Sequence, residues 1–394
     1  MCNMTRSGAD PRIELDRAPL PDPAEIRWLR RSLCDWYHAF KRDLPWRRRS
    51  DAFAIWISES MLQQTRVETV IPYFERFMAR FKDLAALAEG EEEEVLALWS
   101  GLGYYRRARA LHAAAREIME FHGGVFPHER SALLGLPGVG PYTAGAVLSM
   151  AFGASEALVD GNVARVFARV FALEAPLRSP ALEQALWRFA EALVPADAGE
   201  SADAQKGVDP GSWNQAVMEL GATLCTPKGP RCQLCPLQER CEARARGRAE
   251  ELPIPAPRRP LVAVELEMLL ARTGERTLLT RRPPGGRMAG MWELPTREIP
   301  NARGETHLWE ADFSTFALAG GCIPIGEELS TLRHAITHHR ITVSLRRATF
   351  DPSGAQVRAQ NESTWRLAAD DDLASLALTG LTKKALRAVS GPAL

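Results

Sequence analysis

The stretch Leu136-Pro137-Gly138-Val139-Gly140-Pro141-Tyr142-Thr143 constrains this chain more than any other. The Pro-Gly-Val-Gly-Pro core has to turn sharply. A helix can end near Leu134, the glycines allow positive φ or close backbone approach, and Pro141 suits the first position of a new helix, where an N–H has no partner in any case. The spacing predicts a helix-hairpin-helix over 131–150. With only Gly138, Val139 and Gly140 in the turn, a phosphate can reach bare amides at the positive end of the second helix. Such a hairpin anchors a DNA backbone without reading bases. A Gly/Pro turn between two core helices is the plain alternative, so the neighbouring motifs decide.

At 394 residues the chain is long enough for two or three domains. Lys plus Arg and Asp plus Glu both number 49, so any DNA-binding face is local. Eight basic residues fall in 26–50, and Arg106, Arg107 and Arg109 follow Gly-Leu-Gly-Tyr-Tyr; a solvated helix face explains either cluster equally well. No apolar run approaches 18 residues and the first residues are polar, which excludes membrane and secretory readings. The expected setting is intracellular, cytoplasmic and nucleoid-associated for a bacterial source. Seven cysteines, four of them close together, fit a metal site in a reducing compartment better than a disulfide framework.

Residues 1–24 read as a disordered tail, rich in Pro and Asp without periodicity. From 25 to about 195 apolar residues recur at spacings of three and four, which predicts a mostly α domain. Residues 196–212 read as an inserted loop, with a helix resuming at Trp213 and running into the cysteines; the helical domain is expected to close at 242. A linker follows over 243–260. Beyond it, alternating runs such as Val262–Leu270 and Ile341–Leu345 and a final helix near 379–389 predict an α+β domain over 261–394.

Three groups carry chemistry. In a helix, Ile55, Glu59 and Leu62 share a face, which places one carboxylate among apolar side chains and raises its pKa toward that of a general acid. An ion pair with Arg47 or Arg66 is the alternative. Asp160 precedes a helical run from Val163, so a helix N-terminus favours its ionised form, and a simple cap is the plain reading. Together they form a pair with pKa values pushed apart, one donating a proton and the other facing a developing cation. Last, Cys225, Cys232, Cys235 and Cys241 lie in a C-x6-C-x2-C-x5-C array. Four thiolates there can close around a [4Fe–4S] cluster or a zinc ion.

These motifs in this order resemble the endonuclease III superfamily of DNA glycosylases, and within it the adenine glycosylases. Leu44-Pro45-Trp46-Arg47, Trp56 to Thr65, Gly101 to Tyr105 and Val159-Asp160-Gly161-Asn162 all match, over about residues 26–245. The resemblance implies a [4Fe–4S] cluster in the 225–241 loop and flipping of adenine from its mispair with 8-oxoguanine or G in double-stranded DNA. It implies Glu59 as proton donor, Asp160 as partner of the oxocarbenium-like sugar, and Tyr142 and Asn162 as groups that position them. Trp46, Arg47 and Glu219 match pocket positions. Leu62, Gln64, Thr65 and Tyr104 match DNA-contacting positions, with Gln64 and Tyr104 as wedges in the base stack. Relatives that also cut the strand carry a Lys where this chain has Tyr142, so a monofunctional enzyme is expected; a monomer is the expected state. The C-terminal domain resembles a Nudix fold without the Arg-Glu-x-x-Glu-Glu helix that holds Mg²⁺. Thr337 and His338 stand where the family reads 8-oxoguanine, with Ile336 replacing a Phe. The alternatives are a glycosylase of the same fold for thymine or an oxidised pyrimidine, and a DNA-binding scaffold.

Overall fold

The computed structural model describes residues 15, 18–196, 208–257, 260–283, 288–309, 325–349 and 365–390. Most of the 1–24 tail and the centre of the 196–212 loop lie outside the described residues. The chain divides into two compact units, one of residues 1–88 with 113–258, the other of 89–112 with 259–394. Among the described residues no helix is long and apolar enough to cross a membrane.

The main helices are α1 (Pro23–Phe40), α2 (Ala52–Leu62), α3 (Val67–Arg80), α4 (Leu84–Glu89), α5 (Glu92–Trp99), α6 (Arg106–Phe121), α7 (Arg130–Gly135), α8 (Pro141–Phe152), α9 (Gly161–Val170), α10 (Pro180–Leu193), α11 (Pro210–Thr223) and α12 (Glu242–Ala245). Their starts follow local rules. Asp22 accepts from Ala24 N and Glu25 N at 2.8 Å, and Pro23 takes the first position of α1. Asp209 caps α11 by accepting from Ser212 N at 2.8 Å, so this helix begins three residues before the Trp213 read from sequence. The sequence signal was the Asp-Pro pair at 209–210.

In the first unit, Leu33, Phe167, Phe189, Leu193, Trp213 and Leu220 centre the core. Helix α2 is buried on every side from Phe53 to Met61, as an all-round apolar helix should be, and it carries Glu59 inside with it. Helix α11 lies against the start of α9 at Gly221, where a Cβ would meet Asn162 Cβ at 2.6 Å and Asn162 O at 2.9 Å. Only glycine allows that approach. Arg30, counted from sequence in a basic cluster, instead closes the end of α10, donating to Leu193 O at 2.8 Å and Val194 O at 2.6 Å.

The second unit is a sheet in the order β3 (Trp292–Glu293), β2 (Arg276–Arg281), β1 (Val262–Thr273), β6 (His339–Thr349), β5 (Ile325–Ile336), with β4 (Thr296–Ile299) on β1 and β7 (Trp365–Ala369) on β2. Strands β1 and β6 run parallel, and β5 and β6 form a hairpin closed by the Ile336–His339 pair. Helix α13 (Gly380–Ser390) adds Leu381, Ala385 and Leu386 to the core of Leu266, Met268 and Val343. Helix α5 belongs to this unit: Trp292 Nε1 donates to Glu93 Oε1 at 2.9 Å, and Ser100 Oγ to Leu378 O at 2.8 Å.

Candidate active site

A cavity of about 750 Å³ opens in the first unit. Glu59 enters it from α2 and Tyr142 from the first turn of α8, while Asp160 caps α9 and Asn162 follows it. The Tyr142 hydroxyl donates to Glu59 Oε2 and lies 3.5 Å from Met218 Sδ. Glu59 is 5 % exposed. Burial pushes its carboxyl up to about 7, assisted by the charge of Asp160 and opposed by the Tyr142 hydrogen bond and Arg47. No ion pair to Arg47 or Arg66 forms; Arg47 turns instead to Glu219.

Asp160 accepts from Asn162 N at 2.9 Å, from Val163 N at 2.7 Å and, on its other oxygen, from Asn162 Nδ2 at 2.7 Å. The helix N-terminus therefore acts on it as the sequence implies. Burial nevertheless outweighs these donors and Arg165, and raises Asp160 above the ordinary carboxylate value. This corrects the expectation that the pair would be pushed apart from opposite sides: both carboxyls move upward, because both are desolvated in one cavity.

The cavity lining also carries charge. Glu219 on α11 is 1 % exposed. It accepts from Arg42 Nε and Nη2 and from Arg47 Nη2, each at 2.8 Å. Burial alone would raise this carboxyl, but the two arginines hold it down at about 2. Trp46, Leu62, Gln64 and Thr65 also line the cavity, as do Gly138 and Gly140. Gly138 has φ +74°, while Gly140 is extended, and a Cβ there would meet nothing within 4 Å. Val139 is buried in the turn. Tyr104, Thr337 and His338 belong to the second unit. Tyr104 is 45 % exposed with φ +50°, and Thr337 stands at the β5–β6 tip with φ +53°. A positive φ is strained for a β-branched residue such as Thr337.

The four cysteines ring a second, small cavity of about 20 Å³ walled by Val166, Val170, Leu220 and Leu224. Arg169, 2 % exposed, brings Nη1 to 3.3 Å from Cys225 Sγ and donates to Thr226 O at 2.8 Å. Arg165 donates to Cys225 O at 2.7 Å and to Asn162 Oδ1 at 2.8 Å, joining this loop to the cap of α9. Burial pushes Cys235 up to about 12 and raises Cys241. Among the described residues no group of three or more His, Cys, Asp or Glu is gathered as for one metal ion.

Sequence reasoning missed Arg42, Gln215 and Arg165. Arg42 was visible only as one cation of a cluster. Gln215 lies one turn before Glu219 on α11 and also faces the cavity, a spacing that could have found it. Arg165 carried no signal for the bonds it makes across the fold to Cys225 O and Gly221 O, although Gly161 O and Asn162 Oδ1 are local partners.

A family model for HhH-GPD superfamily base excision DNA repair proteins matches residues 57–192, and one for the NUDIX domain matches 267–388. Fold and matched segments thus define a DNA glycosylase of the helix-hairpin-helix superfamily with a Nudix-like second domain. The adenine DNA glycosylase of Homo sapiens is 40 % identical over 330 residues, covering 70 % of this chain and 58 % of its own length. That of Rattus norvegicus is 36 % identical over 381 residues, covering 82 % and 70 %. A solved thermostable thymine-DNA glycosylase superposes with a TM-score of 0.49 at 28 % identity, over 57 % of this chain and 98 % of that one. The chain belongs to the adenine DNA glycosylase family, and it spans less than two thirds of the length of the human relative.

Proposed function

We propose that the protein hydrolyses the N-glycosidic bond of adenine mispaired with 8-oxoguanine or G in duplex DNA and leaves an abasic site. The observation that carries this reading is a buried carboxyl raised to about 7, hydrogen-bonded to a tyrosine and sharing a cavity that has room for a flipped base with a second carboxyl at a helix N-terminus. A base must leave the stack to enter such a cavity. The protonated fraction of Glu59, about half at pH 7, donates to a ring nitrogen of the leaving adenine, and the resulting carboxylate takes a proton from the water that then bonds to the sugar; Tyr142 fixes the oxygen it bonds. Asp160, once ionised, faces the positive charge that develops on the sugar, and Asn162 fixes both of its oxygens' environment through Nδ2 and its own N–H. Tyr142 offers no amine for a Schiff base, which supports hydrolysis without strand cleavage.

Trp46, Arg47 and Glu219 serve as pocket wall. The open space before Gly140 supports phosphate approach at the start of α8. Leu62, Gln64, Thr65 and Tyr104 act on the base stack, and Thr337 and His338 read the base opposite adenine; the exposure of Tyr104 and the strained hairpin tip support those roles.

The same reading assigns Cys225, Cys232, Cys235 and Cys241 to a [4Fe–4S] cluster. Fit supports it: four thiols around one apolar cavity, with Arg169 beside Cys225 to balance thiolate charge. When bound, the cluster would supply thiolate–iron bonds that tie the 225–241 loop together. The enzyme acts as a monomer on double-stranded DNA.

Single-turnover assays on duplexes carrying A, T or C opposite 8-oxoguanine or G, each analysed with and without alkali, test this reading. Release of adenine alone, with strand breaks only after alkali, is the expected result. Excision of thymine or cytosine, or scission without alkali, would overturn it.

A further inference from the structure

Behind the charged wall of the cavity stands a side chain that the chemistry above does not use. Tyr37 on α1 is 2 % exposed and does not itself line the cavity. Its hydroxyl donates to Gln215 Oε1 at 2.9 Å. Its ring lies beneath two cations, with Arg47 Cζ 5.3 Å and Lys41 Nζ 5.2 Å from the centroid. Gln215 and Arg47, the two groups it touches, both line the cavity. Arg47 is further fixed by donating to Arg42 O at 3.1 Å and to Glu219 Oε2 at 2.8 Å.

A glutamine amide carries an acceptor at one corner and two donors at the other, and nothing intrinsic decides which of them meets a ligand. In this structure the Tyr37 hydroxyl lies behind Gln215 and is paired with its Oε1. With Oε1 engaged by the Tyr37 hydroxyl, the group left for a cavity occupant is Nε2 with its two N–H donors. Burial also pushes the Tyr37 hydroxyl up to about 12, so it keeps its proton across the working pH range.

We infer that Tyr37 is a positioning residue for base recognition: it holds the Gln215 amide with its donors available, and it supports the Arg47 guanidinium against Glu219. The cavity then favours a base offering an unprotonated ring nitrogen, as adenine does, over one presenting an N–H at the same edge, as hypoxanthine does. The inference rests on reading the cavity as a base pocket.

The test is kcat/KM for duplexes carrying adenine or hypoxanthine opposite 8-oxoguanine, in the wild type, Tyr37→Phe, Tyr37→Leu, Gln215→Ala and the double variant Tyr37→Phe/Gln215→Ala. Tyr37→Phe keeps the ring under Arg47 and removes only the hydroxyl. It is expected to lower the adenine value about 10-fold and to narrow the adenine-over-hypoxanthine ratio by a similar factor. Tyr37→Leu lowers the adenine value further. In the Gln215→Ala background Tyr37→Phe adds nothing, since the amide it positions is gone. An equal loss on both bases, no loss on either, or a full additional loss in the double variant would overturn the inference in favour of simple packing. Should Tyr37→Phe fail to fold, Gln215→Leu must narrow the same ratio or the inference fails. A wild type that releases no adenine overturns the base-pocket reading itself, and an active wild type with an unmoved ratio overturns only the role of Tyr37.

Discussion

Glu59 and Glu219 line one cavity, and both are buried, at 5 % and 1 % exposure. One carboxyl is nevertheless raised to about 7 and the other lowered to about 2. Burial acts on both in the same direction. Their partners differ: Glu59 receives a tyrosine hydroxyl, whereas Glu219 receives two guanidinium groups through three hydrogen bonds. Ionisation in this cavity is therefore set by what bonds a carboxyl and not by depth alone. The cavity thus holds one carboxyl poised to give up a proton and one fixed as an anion.

The largest effect should come from Asp160→Asn. It keeps the shape of the cap and removes the charge facing the sugar, so excision falls by about 10³-fold or more while lesion duplex is still bound. Unchanged single-turnover rates would remove Asp160 from the chemistry. Glu59→Gln comes next, with a loss of about 10²- to 10³-fold in rate and a gain in stability. The folded pKa of Glu59 lies above its unfolded value, so the stability it contributes is present below about 4.5 and lost as pH rises through about 7. A neutral Gln escapes that loss, and thermal or denaturant unfolding at pH 8 should show a gain of about 3 kcal/mol; destabilisation at that pH would mean that Glu59 is already paired.

The fixed anion should respond with the opposite sign. Glu219 is held below its ordinary value, so its contribution is present above that value and is lost only as pH falls toward about 2. Arg47→Ala removes one partner of a buried carboxylate and is expected to cost about 2 kcal/mol at pH 7, read by denaturant unfolding. A stabilised Arg47→Ala protein would erase the contrast between the two carboxyls. The smallest effect concerns the hairpin. Gly138→Ala forces a Cβ into φ +74° and should cost about 1 kcal/mol, whereas Gly140→Ala is tolerated by the fold and weakens DNA affinity instead. Equal melting temperatures for the two variants would remove the distinction between them.

Much of this was legible in the sequence because the signals are local. Pro141 at the first position of α8, Asp160 as the cap of α9, and Glu59 within an apolar helical repeat each follow from neighbours a few residues away. The strands β1 and β6 and the last helix followed from alternation and spacing. What the sequence withheld depends on long-range approach. Nothing near Arg42 indicates that it bonds a carboxylate 177 residues away, nor that Tyr37 reaches Gln215 across 178. The direction of the Asp160 shift was misread for the same reason: the cap is local, but the burial that outweighs it is set by the fold around the cavity.

The account turns on Glu59 keeping its proton up to about pH 7 in the free protein. The most direct measurement is the pH dependence of kcat/KM on a duplex with adenine opposite 8-oxoguanine, which reports the free enzyme's groups. The predicted profile is a bell whose alkaline limb falls through about pH 7, with that limb absent from the residual activity of Glu59→Gln. A wild-type value that holds constant to pH 9 would contradict it.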